Sequence, residues 1–287
     1  MILIESNNHE ENIKILKEKK LHFTNEQKFI CFLKNSTAYK INEYIFPFLL
    51  NKEFRDGIKD TDIINLFNFD HKLRMEVFYC IGKIELYVRS LVSYTAIELH
   101  GENWLLNDSL FDNNNNISSI RSKIANQENK DVLELNSHDF LNNLTIGQLL
   151  IITKTFNDRY LIDFIKDEIG ATSKTCFLNW LEVLRQIRNI CAHHGRLWNR
   201  TLLIPKTIMN SLVEPYLPSI VTSTNKRRKN RLYLTLLMIN YIFMSMKEDY
   251  SIKKNLRRLL NEYDIKDYVF VNSGFPFHWY NNDIWLT

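Results

Sequence analysis

Glycine and proline are both scarce in this chain, at 7 and 5 of 287 residues. Antiparallel β folds need turn residues every ten or so positions, and so few cannot supply them. The same scarcity favours long helices. The four cysteines (Cys31, Cys80, Cys176, Cys191) lie far apart with no CxxC spacing. Neither a disulfide framework nor a zinc site follows from such spacing, and Cys80 and Cys191 sit among apolar neighbours as buried thiols do. No stretch reaches ~18 consecutive apolar residues, so no membrane span is expected. The opening MILIESNNHEENIKIL lacks the basic start and apolar run of a signal peptide. A reducing, cytoplasmic compartment is the expectation.

Apolar residues make up 45% of the chain and charged residues 24%, the balance of a soluble globular protein. The net charge of +4 is too small to require a polyanion partner, but the excess is clustered. Helical signals run along the chain. Residues 10–20 read as a short polar helix. Thr24 with Gln27 fits a capping box for a second, carrying Phe29, Phe32 and Leu33. Pro47 should end or kink a helix. Thr61 can cap a helix bearing Ile64 and Phe67, and Asp70 can start a long one. Its apolar positions Leu73, Val77, Cys80, Ile81, Ile84, Tyr87, Val88 and Leu91 recur every three or four residues, and Gly101 is a C-terminal stop. The asparagine-dense stretch 107–119 reads as a polar loop.

Shorter helices are expected over 120–130, 145–156 after Thr145, and 158–168 closed by Gly170. A strong one spans 174–194, with Trp180, Leu184, Ile187 and Cys191 as its stripe, widened by Leu181, Val183 and Ile190, and with Gly195 as its stop. After a connection holding Pro205, Pro215 and Pro218 come NKRRKNR (225–231), a helix with the stripe Leu232, Leu236, Ile239, Phe243 and Met246, and a basic helix over 251–263. The tail GFPFHWYNNDIWLT is aromatic and expected to pack on the body. There is no internal repeat and no convincing strand run, so the fold class is all-α, a helical bundle.

The densest chemistry lies in RNICAHHGRLWNR, Arg188 to Arg200, with three arginines and two adjacent histidines in thirteen residues. Residues five apart differ by about 140° around a helix and about 7.5 Å along it, so Arg188 and His193 can border one cleft without stacking. Asn189 and His193, four apart, share a face. The helix C-terminus carries partial negative charge and favours cations. Histidine titrates near pH ~6.5 and can give or take a proton. Arginine stays charged and grips phosphate with two prongs. RNA brings its own nucleophile, the 2′-hydroxyl, so a histidine can take that proton while arginine steadies the phosphoryl oxygens. No metal or cofactor is then needed, and 2′,3′-cyclic phosphate and 5′-hydroxyl ends result. A structural reading stands beside it: histidines at a helix end can cap carbonyls, and Arg196, Trp198 and Arg200 can form ion pairs and stacking contacts. A zinc site from Cys191, His193 and His194 is disfavoured, because adjacent histidines point to different faces.

The block RNICAHHGRLWNR resembles the signature of the Abi-like (abortive infection, AbiD/AbiF) proteins of bacteria. Within it Arg188 to His193 is similar to the R-x4-H motif of the HEPN ribonuclease superfamily. LKNSTAYKINEYIFPFL (33–49), DIINLFNFDHKLRMEVFYCIGKIELYVRSLVSY (62–94), LTIGQLL, FLNWLEVLRQIRNICAHH and the closing GFPFHWYNNDIWL also resemble family blocks, in the family's order; 103–143 matches least. The resemblance implies a HEPN-type helical bundle, with an N-terminal helical extension (1–58), a helical core (59–265) and an aromatic C-terminal tail (266–287). It implies phage defence or toxin activity by RNA cleavage, and a homodimer in which Arg188 and His193 of two chains meet in one composite site. It makes Arg188 and His193 catalytic, with Asn189 orienting the histidine or contacting phosphate. His194, Arg196, Asn199 and Arg200 would contact RNA or support the site, as would Glu85 and Arg89 on the first core helix. Some relatives are held in check by a small antitoxin RNA, and transfer RNA is a substrate by superfamily analogy.

The run NKRRKNR, with Lys226, Arg227, Arg228 and Lys229, followed by Lys253, Lys254, Arg257 and Arg258, reads as solvated surface or as a phosphate-tracking one. Trp198 is expected in the core. Trp279 and Tyr280 are either core or stacking platforms for unpaired bases. Two competing readings remain: a non-catalytic RNA-binding module, and a dimerisation protein whose motif rivets helices together.

Overall fold

The computed structural model describes residues 4, 8–112, 114–206, 231–265, 269, 273–275, 279–281 and 285. Among them are eleven α-helices and a single two-stranded hairpin, so the fold is all-α. The N-terminal helices are α1 (His9–Glu18), α2 (Glu26–Asn35) and α3 (Ala38–Ile45). Pro47 follows α3 in a 3₁₀ turn, Phe46–Phe48, where the helix was expected to end. A hairpin then pairs Leu49 with Phe54 and Leu50 with Glu53. Its turn residues Asn51 and Lys52 both have positive φ, at 50° and 72°, as a tight hairpin turn requires.

The axis of the bundle is α4, a single helix of 41 residues, Asp60–His100, about 62 Å long. Two helices were expected here, the second starting at Asp70. Asp70 is not a cap: its carboxylate bonds Arg74 one turn on and the backbone of Leu197 and Trp198. The helix starts with the Asp62 carboxylate accepting the Lys59 N–H at 2.8 Å and ends at Gly101, φ 82°. A second shift occurs at α2. Its N-cap is Asn25, accepting the Lys28 N–H at 2.9 Å, whereas the Thr24 hydroxyl donates to Asp60 at 2.7 Å.

Five helices follow: α5 (Asn114–Glu128), α6 (Ser137–Asn143), α7 (Ile146–Thr155), α8 (Arg159–Ile169) and α9 (Lys174–Ala192). The stretch read as a loop over 107–119 is thus helical from Asn114. Thr145 and Gln148 form the expected reciprocal cap of α7, at 2.7 and 3.3 Å. Gly170 closes α8 in the left-handed conformation, φ 79°. The last two helices are α10 (Leu232–Met246) and α11 (Ile252–Glu262).

Helix α4 packs against α3, α6, α7, α8, α9, α10 and α11, and one continuous apolar core joins them to α1 and α2. Tyr44 of α3 meets Phe67 of α4 edge-on at 5.1 Å. The described tail residues close the far side: Phe275, Trp279 and Trp285 are buried, with Tyr233 4.9 Å from Phe275. Tyr280 lies under the Arg257 guanidinium at 4.7 Å.

Candidate functional site

Helix α9 begins at Ser173, whose hydroxyl accepts the Cys176 N–H at 3.1 Å. Its stripe Trp180, Leu184, Ile187 and Cys191 is buried, together with Leu181, Val183 and Ile190. Burial of that face leaves Arg188 and Asn189 half-buried on the flank and His193 exposed at the end. Among the described residues no hydrogen bond or ion pair engages the side chains of Arg188, Asn189 or His193. Arg188 is thus a half-buried guanidinium with no partner among the described residues.

The helix ends differently from the expectation that Gly195 stops it. His194 takes the left-handed position, φ 54°. Its N–H donates to Cys191 O at 3.2 Å and the Gly195 N–H to Ile190 O at 2.8 Å, the two bonds of a Schellman motif. Gly195 is tightly placed: a Cβ there would lie 3.3 Å from Ile190 O and 3.1 Å from Arg200 Nη1.

The following turn is fastened to the body. Leu197 and Trp198 are buried, and Trp198 stacks edge-on against Phe69 at 5.2 Å, in the core as expected. Their backbone N–H groups donate to the Asp70 carboxylate, Leu197 at 3.2 Å and Trp198 at 2.6 Å. Arg196 donates to Glu43 O at 2.6 Å. The Asn199 N–H donates to Ser273 Oγ at 2.9 Å, and its carbonyl accepts from Arg231, the last residue of NKRRKNR, at 2.6 Å. Arg200 is exposed and reaches Arg196 O at 3.5 Å. The thirteen-residue block therefore divides in two. Arg188, Asn189, His193 and His194 are presented, while Arg196 to Asn199 anchor the turn.

Asp70 is the anchor's centre. It is fully buried and also accepts from the Tyr44 hydroxyl at 2.6 Å and from Arg74, one helical turn on. Burial pushes its carboxyl up, against the pull of Arg74, of the Tyr44 hydroxyl and of the two backbone N–H groups. Every partner is a donor, the surroundings of an ionised carboxylate. Burial and the Asp70 charge push the Tyr44 hydroxyl up in turn. Arg74 Nη2 then lies 3.4 Å from His71 Nδ1. His71 is exposed and held below the ordinary histidine range, first by desolvation and then by Arg74, Lys72 and His194. Cys191, behind the histidines, is pushed up to about 12 by burial and by Asp70, so its thiol is not a nucleophile at neutral pH.

Tyr44, His71 and Arg74 carry no site role in the sequence analysis, and Asp70 stands there only as a helix start. The available signal was an acid and an arginine four apart inside an apolar helix, a pairing distance that reads equally as an N-cap.

Glu85 and Arg89 pair as expected, at 3.1 Å, but they hold α6 and α7 rather than the motif. Glu85 accepts the Ile146 N–H at 3.0 Å, and Arg89 donates to Leu141 O at 3.0 Å. They lie eleven and fifteen positions beyond Arg74, about 16 and 22 Å further along α4. Lys226, Arg227, Arg228 and Lys229 lie outside the described residues. Among the described residues no group of three or more His, Cys, Asp or Glu side chains is placed to hold a metal ion, and no helix is long and apolar enough to cross a membrane.

The model of the Abi-like protein family matches residues 31–199, more than half of the chain. No curated protein and no solved structure matches it. The matched span runs from within α2 to Asn199 and takes in α4, α9 and the turn that closes on Asp70. The chain belongs to the Abi-like protein family.

Proposed function

We propose that this protein is a metal-independent endoribonuclease that acts in abortive infection. Family membership suggests the biological setting, defence against phage. The observation that supports the chemistry is the division of the motif block. Its turn is tied down by Asp70, Glu43, Ser273 and Arg231. The side chains suited to phosphodiester chemistry, Arg188, Asn189 and His193, have no partner among the described residues. Anchoring of this kind holds a site in place at no cost to its reactive groups.

In the proposed reaction His193 takes the proton of the RNA 2′-hydroxyl. The 2′-oxygen bonds to phosphorus, the bond from phosphorus to the 5′-oxygen breaks, and that oxygen takes a proton from the imidazolium of His193 in the second copy as it leaves. The products are a 2′,3′-cyclic phosphate and a 5′-hydroxyl. Arg188 neutralises charge on the non-bridging oxygens, and Asn189, one turn before His193, orients the ring or the phosphate. His193 is exposed at the tip of α9, open to the Arg188 of a second copy in a composite, dimeric site. The RNA substrate, of which transfer RNA is one candidate, and a small inhibitory RNA are part of this reading. His194 and Arg200, both exposed, are assigned to RNA contact.

The test compares wild type with Arg188→Ala and His193→Ala on purified RNA in EDTA, with the RNA ends identified. The expected result is cyclic-phosphate ends from wild type and a loss of at least about a hundredfold in either variant. Equal cleavage by all three proteins overturns the proposal. Tight, salt-sensitive binding with all RNA recovered intact would favour a non-catalytic RNA-binding module instead.

A further inference from the structure

We infer that His71 belongs to the proposed site, as a neutral hydrogen-bond donor whose Nε2–H meets a non-bridging oxygen of the scissile phosphate. The inference rests on the ribonuclease reading, which supplies the phosphate.

The geometry starts at Arg74. Its Nη2 stands 3.4 Å from His71 Nδ1. A guanidinium only donates, so Nδ1 must be the acceptor. The proton of the neutral ring then sits on Nε2, the nitrogen on the far side of the ring from Arg74. Arg74 is not free to swing away. Its Nη1 is bound to Asp70, itself held by Tyr44 and by the backbone of Leu197 and Trp198. Tyr44, Asp70 and Arg74 are all buried, at 0%, 0% and 4% exposure. Among the described residues their chain of contacts surfaces at His71, which is exposed. A buried network running from the motif turn thus ends in a single oriented N–H at the surface. Second-partner contacts of this kind fix the tautomer of an imidazole.

The electrostatics agree. The groups facing His71 are Asp70, Lys72 and Arg74 from α4 and His194 from the turn after α9. Desolvation first, then Arg74, Lys72 and His194, hold the ring below its ordinary range. An imidazole kept neutral at cellular pH is a poor proton donor but a good hydrogen-bond donor, and phosphoryl oxygens are strong acceptors. His71 adjoins Asp70, whose carboxylate holds the turn that leaves α9, so the ring lies at the motif's end of the bundle. His71 thus adds a donor from α4 to the cations of α9, and the proton transfers are left to His193.

Wild type, His71→Ala and His71→Gln are compared on a short RNA with one cleavable linkage. Each substrate is made with ordinary phosphate and as each of the two phosphorothioate diastereomers. His71→Ala is expected to slow cleavage by about tenfold or more. His71→Gln, whose side-chain amide is also a neutral donor, should stay close to wild type. Sulfur accepts hydrogen bonds poorly, so one diastereomer should be slow with wild type, and this penalty should vanish in His71→Ala. A His71→Ala enzyme as fast as wild type, or slow but with the wild-type sulfur penalty, overturns the inference. So does a His71→Gln enzyme as slow as His71→Ala, since proton transfer would then be its role. If wild type leaves the ordinary RNA intact, the ribonuclease reading has failed and this inference falls with it.

Discussion

Asp70 on α4 accepts a 2.6 Å hydrogen bond from the backbone N–H of Trp198, 128 positions further along the chain. With the 3.2 Å bond from Leu197, one carboxylate fixes the turn that carries the motif out of α9. Helix packing alone allows rotation and sliding of tenths of an ångström. A pair of bonds to consecutive backbone groups does not.

Removing that carboxylate should therefore cost more than a hydrogen bond. Asp70→Ala leaves Arg74 charged and buried, and leaves the N–H groups of Leu197 and Trp198 without acceptors. The expected loss is about 3–5 kcal/mol, read from urea unfolding. A loss under about 1 kcal/mol would show that the turn is held by Trp198 packing instead.

His194 is expected to be a site of stored strain. A non-glycine residue in the left-handed region is disfavoured by about 1 kcal/mol, and His194 sits there at φ 54°. His194→Gly should stabilise the fold by about 0.5–1 kcal/mol, after the added freedom of glycine in the unfolded chain. Thermal unfolding measures the gain. An RNA-binding titration on the same variant asks whether the imidazole is kept at that position for a ligand.

Gly170 offers the opposite case, a glycine with no room to change. Its φ is +79°, and a Cβ would lie 2.7 Å from Tyr241 Cε1 and 2.8 Å from Ser245 Oγ. Gly170→Ala combines backbone strain with a clash against α10, so a loss of about 2–3 kcal/mol is expected. A melting temperature within a degree of wild type would contradict the packing of α8 on α10.

The features legible in the sequence are those written in local bonds. Thr145 and Gln148, three positions apart, cap one helix, and Gly170 ends another. The stripe of α9 is a matter of spacing, so its buried face was readable and, by subtraction, so was the exposure of His193. Thr24 and Asp70 misled because their side chains have strong local habits that distant partners overrode. Thr24 bonds Asp60, 36 positions away, and Asp70 bonds Leu197 and Trp198. The asparagines from 114 onward are poor helix formers, yet α5 includes them, because Ile117, Ile120 and Ile124 bury against the core. His71 was invisible for a related reason. Nothing in its neighbours says that Arg74 is locked by a turn from the other half of the chain.

Thiol chemistry separates the exposed cysteine from the buried ones. Cys31 is exposed, whereas Cys80, Cys176 and Cys191 are buried. Burial pushes the thiols of Cys80 and Cys191 up to about 12. At pH 8 in native buffer, iodoacetamide should add once, at Cys31, as read by peptide mass spectrometry. Modification of Cys191 at a comparable rate would mean that the end of α9 opens in solution.

The pH dependence of stability should carry a mark from Asp139. Its carboxylate accepts from Lys130 at 2.7 Å and from the Asn136 N–H at 3.0 Å. The Lys130 hydrogen bond is the main cause that holds its carboxyl below the ordinary range. The unfolded chain, with the higher value, binds a proton first as pH falls, so unfolding takes up protons in that window and stability drops with pH. The contribution is fully present above about pH 4 and is lost as pH falls through the lower, folded value. Asp139→Asn should therefore be less stable than wild type at pH 7, with a gap that narrows steadily below pH ~4. Urea midpoints for both proteins from pH 7 down to pH ~3 measure it. A gap that stays constant over that range would mean that the Asp139 carboxylate is no better placed in the folded protein than in water.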